Sequence, residues 1–203
     1  MREEYWYYSL WLVVVGSWVI GLAYGKWWGG YSSFLAELGQ IISIPRPDQM
    51  ELWQPLVYFT LTTVASFALS QLFFGIGGAA FLFARGVYDS GLITTMETTI
   101  TSWKLTSVTS AEIWTIFFLL LVLAVNLPLC LWAAQLGAHR AIRMLYRLRG
   151  KPTKPIAGTE PISHLILIIT LSLIAGLTAT FALASTGVSK NSEFLNGPTD
   201  HSG

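Results

Sequence analysis

The sequence predicts an all-α protein, a polytopic transmembrane helical bundle of about five spans. Three observations lead there. Hydrophobic residues make up 53% of the 203 residues and charged residues only 11%, well below the roughly 25% that covers an ordinary soluble domain. The apolar residues gather into long runs at 5–24, 52–69, 72–94, 113–134 and 162–184, each close to the length that crosses hydrocarbon. Basic residues concentrate in one connection: six of the twelve Lys and Arg fall between positions 139 and 154, with no acid before Glu160. The apolar runs, with a single Cys and a formal net charge of +1, argue against a disulfide scaffold, a nucleic-acid binder and a disordered chain.

The first run starts after Met1-Arg2-Glu3-Glu4 and stops before Lys26. One Arg followed by two Glu, with no A-x-A site, reads as a retained helix rather than a cleaved signal. In the first loop, Phe34, Leu38 and Ile41 recur at helical spacing behind Ser32 and Ser33, which suits a short amphipathic helix. Leu52 to Phe83 carries no charge and would extend about 48 Å as one helix, against about 30 Å of hydrocarbon. It must therefore break, and the glycines from Gly75 to Gly78 mark the place. This divides the run into a second and a third helix. The fourth run holds Asn126 and Pro128, and the fifth is plain.

The expected organisation is one transmembrane domain over residues 1–184, a basic loop at 135–161 and a flexible polar tail at 185–203. By the positive-inside rule the basic loop is cytoplasmic. With five spans the N-terminus is then inside and the C-terminus outside; with four, Leu52 to Phe83 being one long kinked helix, the N-terminus lies outside. Trp6, Trp27, Trp28, Trp53, Trp103 and Trp114 stand near span ends, where amphipathic rings favour the headgroup level.

Few residues offer chemistry. Arg85 and Asp89 stand one helical turn apart in the third run, with Tyr88 between them. A charge at mid-membrane costs about 2.5–3.5 kcal/mol, and i,i+4 spacing lets the two side chains share that cost. They make a candidate polar or interaction site, or else a pair at a membrane boundary. Glu112 joins the candidates, with helix capping as its simpler role. Arg140, Arg143 and Arg147, with Arg149 and Lys151 beyond, form a basic periodic face suited to anionic lipid headgroups or to topology alone. His139, His164 and His201 lack the spacing of metal ligands, and Cys130 reads as packing. No nucleotide, hydrolase or metalloprotease motif occurs. The expectation is a non-enzyme without catalytic, metal or cofactor residues. Gly77, Gly78, Ala79 and Ala80, and later Ala175, Gly176 and Ala179, allow close helix packing.

The run Phe73-Phe74-Gly75-Ile76-Gly77, followed by Arg85-Gly86 and then Gly91, resembles the stage II sporulation protein M family. That family carries a glycine-broken apolar hairpin, and Glu112 falls where it has an acid before its next helix. Gly91 stands one residue later than the family pattern, and Val108 and Trp114 replace its His and Pro. The resemblance spans about 52–184 and implies a multipass inner-membrane protein that works with partner proteins.

Three functions follow as expectations. The first is a non-catalytic structural or accessory subunit of a larger membrane complex, its partners being the lipid bilayer and other membrane subunits. The second is a transporter or permease component with a midplane site at Arg85 and Asp89. The third is an accessory subunit of a redox or photosynthetic membrane complex. A prokaryotic cytoplasmic membrane is the expected location.

Overall fold

The computed structural model describes residues 2–28, 51–102, 109–149 and 160–186. Regular structure within them is helical throughout: α1 (Arg2–Trp28), α2 (Gln54–Leu72), α3 (Ile76–Ser102), α4 (Ser110–Leu121), a π turn (Val122–Asn126), α5 (Leu127–Leu148) and α6 (Glu160–Thr186). The short helix expected near 34–42, Trp103, Lys151 and most of the polar tail lie outside the described residues. Four stretches are long and apolar enough to cross a membrane: Tyr8–Trp27, Gln54–Leu72, Glu112–Leu148 and Ser163–Thr186.

Several helices outrun the apolar limits read from sequence, because backbone hydrogen bonding does not stop where hydrophobicity does. Most of α3 beyond Ile93 is threonine-rich, and hydroxyls such as Thr94 and Thr95 donate back to carbonyls one turn earlier, which keeps them satisfied within the helix. The basic segment, expected as a loop from 135, is helical to Leu148. No Gly or Pro interrupts it between Ala138 and Arg149.

Two local irregularities shape the bundle. Between α2 and α3 the chain reverses through Phe73–Gly75, with φ of 50° at Phe74 and 91° at Gly75. A left-handed backbone favours glycine, and a Cβ on Gly75 would also stand 3.2 Å from the Ala138 methyl. In the fourth column Pro128 cannot donate to the carbonyl of Ala124, and its ring would collide with it in an α-helix. The helix widens immediately before it. The N–H of Leu127 bonds to the carbonyl of Val122, a π spacing of the kind found at functional positions in helices.

Residue pairings give the direction of each column. Leu69 and Ser70 lie near Gly77 and Gly78, while Tyr58 meets Arg85, so α3 runs back along α2. Trp18 meets Gly86 and Asp89 and Lys26 meets Glu97, so α1 runs parallel to α3. Thr62 pairs with Asn126 and Ser70 with Ala134, so the α4–α5 column runs parallel to α2. Phe67 packs near Ile168 and Leu56 against Gly176, so α6 opposes α2. The five columns therefore alternate in direction along the sequence.

One apolar core gathers Phe59, Trp114, Phe118, Leu119, Ala179 and Leu183, with ring contacts linking Tyr58, Phe59, Phe118 and Trp114. A second joins Val14, Leu82, Cys130 and Ala134. The perimeter is apolar: Leu12, Ile20, Leu61, Ile166, Leu177 and Phe181 are all exposed. Meanwhile Arg85, Asp89, Asn126, Gln135 and several Ser and Thr are buried. Buried polar groups inside a widely apolar surface invert the soluble pattern and suit a bundle whose surroundings are hydrocarbon.

Candidate functional site: a buried polar centre

Arg85 and Asp89 lie near the middle of α3, both fully buried. One helical turn puts the guanidinium Nε 3.4 Å from Asp89 Oδ1. Each charge then recruits another column. Arg85 Nη1 donates to Asn126 Oδ1 at 2.6 Å and lies 3.4 Å from Cys130 Sγ. From α1, Trp18 Nε1 donates to Asp89 Oδ2 at 2.9 Å. The guanidinium also stands over the Tyr58 ring, 5.6 Å from its centroid, where the ring face attracts a cation.

Asn126 transmits these contacts to α2. It ends the π turn, and its Nδ2 donates to the Phe59 carbonyl at 3.3 Å and to Thr62 Oγ1 at 3.2 Å. Thr62 in turn donates to the Tyr58 carbonyl. From α6, Ser172 Oγ donates to the same Phe59 carbonyl at 2.6 Å and lies 3.0 Å from Thr63 Oγ1. Every column thus sends a polar group to one level. The two opposite charges cancel, and charge-assisted hydrogen bonds hold both. Among the described residues, Arg85 Nη2 and Tyr58 Oη are buried there without a hydrogen-bond partner.

The sequence-named residues separate on the structure. Arg85 and Asp89 belong to the centre and stand far from either end of α3. Tyr88, half-buried, packs against the aromatic core around Phe59 and Phe118. Glu112 caps α4: its Oε2 accepts the Thr109 N–H at 2.8 Å, while Thr109 Oγ1 accepts the Glu112 N–H, a reciprocal capping box. Arg140 and Arg143 are half-buried on α5, and Arg147 and Arg149 are exposed near its end. Among the described residues no group of three or more His, Cys, Asp or Glu stands together as metal ligands do. His164 packs on Trp132, and the hydroxyls of Thr62 and Ser172 are spent on backbone carbonyls.

Sequence reasoning passed over Trp18, Thr62, Thr63 and Ser172. One signal pointed to Trp18. Gly21 and Gly25 form a G-x-x-x-G on α1, and Gly86 with Ser90 makes a small-x-x-x-small on α3, the pattern of close helix approach. A Cβ on Gly21 would strike the Phe83 carbonyl, and one on Gly86 the Trp18 carbonyl. That contact brings the Trp18 indole within reach of Asp89.

The described residues form an all-α protein with four helical stretches long and apolar enough to cross a membrane, compatible with an integral membrane protein. Comparison with family models, with curated proteins and with solved structures gave no match.

Proposed function

We propose that this chain is a five-span integral membrane protein acting as a non-catalytic structural or accessory subunit of a larger membrane complex. The observation that carries this reading is the polar centre, whose two charges are engaged by residues of the chain's own columns. A charge pair consumed internally locks the packing of five helices. It supplies a rigid apolar body for other membrane subunits and lipid to surround.

The count of five rests on direction. The α2 helix and the α4–α5 column run the same way, and both are long and apolar enough to cross. Chain that crosses twice in one direction must return between the crossings, and α3 is the helix that lies there. Its hydropathy is lowered by Arg85 and Asp89, which are neutralised inside the bundle. With the basic end of α5 on the cytoplasmic side, the N-terminus is inside, as in a prokaryotic cytoplasmic membrane. The resemblance to the stage II sporulation protein M family favours work in company with partners.

The experiment is gentle-detergent purification at native expression, with mass spectrometry of what accompanies the chain. A stoichiometric set of other membrane subunits is expected. A stable lone protein or homo-oligomer would sink the proposal.

A second reading, a transporter component, rests on one observation: Arg85 Nη2 and Tyr58 Oη are buried donors without an acceptor among the described residues. Two such donors suit an oxygen atom of a passing solute. On this reading Asp89→Asn leaves assembly intact and abolishes transport. On the structural reading the same change impairs assembly.

A further inference from the structure

The reversal between α2 and α3 is unlike a water-exposed loop. Leu72 is 70% exposed, Phe73 57%, Phe74 51% and Ile76 77%, so four large apolar side chains project outward together. No charged residue occurs between Glu51 and Arg85. The turn also satisfies much of its own backbone: Phe73 N–H donates to Leu69, Gly75 to Ser70, Ile76 to Phe73 and Ala79 to Gly75. A turn that needs no water for these groups can rest in a lipid environment. Its depth is fixed by α5, because Gly75 is seated against Ala138.

Beyond Ala138 the chemistry of α5 changes abruptly. Arg140, Arg143, Arg147 and Arg149 follow within eleven residues, or about 16 Å of helix. The same end of the bundle therefore presents apolar side chains at one level and a column of arginines immediately past it. That sequence of apolar then cationic matches the depth profile of one bilayer leaflet, acyl chains below and phosphates above.

We propose that the Leu72–Ile76 turn is an interfacial anchor, inserted among the headgroup-proximal acyl segments of one leaflet, and that the α5 arginines beyond it bind the anionic phospholipid headgroups of that leaflet. The occupant of the exposed apolar turn is lipid, and the charge complementarity selects lipids that are anionic. The anchor rests on the membrane reading but not on the number of crossings, since α2 and α5 meet beside the turn, where Gly137 lies against Phe67 and Ser70.

The test uses the full chain in vesicles. Cys130 is fully buried and gives little background, so Phe73→Cys and Arg149→Cys can each be labelled with a membrane-impermeant maleimide admitted to both faces. Labelling at position 73 is expected to be at least about tenfold slower than at 149. Equal rates would overturn insertion of the turn. Binding of phosphatidylglycerol, measured against phosphatidylcholine by native mass spectrometry, is expected to fall severalfold in the Arg140→Gln/Arg143→Gln/Arg147→Gln variant. Unchanged retention, or equal retention of both lipids by the unaltered chain, would overturn the headgroup assignment. Circular dichroism of each variant establishes that it is folded.

Discussion

The indole of Trp18 donates to the carboxylate of Asp89 across 2.9 Å, and this bond ties α1 to the charged centre. Among the described residues α1 otherwise packs mainly on α3, with a smaller contact on α5, and much of its surface is exposed. Removing the donor leaves a buried carboxylate with Arg85 as its remaining partner. Trp18→Phe keeps most of the ring and is expected to destabilise the protein by about 1.5–3 kcal/mol, the usual scale for a bond to a charged group. Trp27→Phe, at a position 74% exposed, is the control and is expected to change little. Reversible denaturant unfolding in mixed micelles measures both.

Arg85 and Asp89 differ from a surface pair in that neither can turn to water. Arg85→Met alone strands the carboxylate and is expected to cost about 3–5 kcal/mol. Arg85→Met combined with Asp89→Leu removes both charges and is expected to recover a large part of that loss. The fraction eluting as a monodisperse species in size-exclusion chromatography reports the recovery. A double variant worse than the single would contradict a purely structural pair.

Two glycines of α3 carry opposite expectations. At Gly86 a side chain would meet the Trp18 carbonyl, so Gly86→Leu is expected to pry α1 from α3 and lower thermal stability sharply. At Gly91 nothing stands within 4 Å of an added Cβ. Gly91→Ala is therefore expected to be neutral or to stabilise by up to about 1 kcal/mol through helix propensity.

The start of α4 depends on a local exchange. Thr109→Ala removes one side of the capping box and is expected to cost about 1 kcal/mol. Glu112→Gln can still accept from the Thr109 N–H and should cost less. Amide hydrogen exchange over 109–115 distinguishes the two.

What the sequence reveals of this molecule follows the range of each interaction. The i,i+4 relation of Arg85 and Asp89, the reversal near Gly75 and the cap at Glu112 are all local, so spacing and turn chemistry expose them. The convergence of Trp18, Asn126, Thr62 and Ser172 depends on how whole helices rotate against one another. Apolar periodicity is weak where every face is hydrophobic, so hydroxyl residues that face inward look like those that face lipid. Helix ends are similarly hidden, since α3 and α5 continue past the apolar runs into threonines and arginines.

The most direct measurement is the side of the membrane that the chain reaches before α2 and again after α3. Glu51 lies just before α2 and Ser110 opens α4; Glu51→Cys and Ser110→Cys can each be labelled from one face of sealed vesicles, with Arg149→Cys as the opposite marker. If the charged helix crosses, positions 51 and 110 label from the same face and 149 from the other. Labelling of 51 and 110 from opposite faces would contradict five crossings and remove Arg85 and Asp89 from the membrane interior.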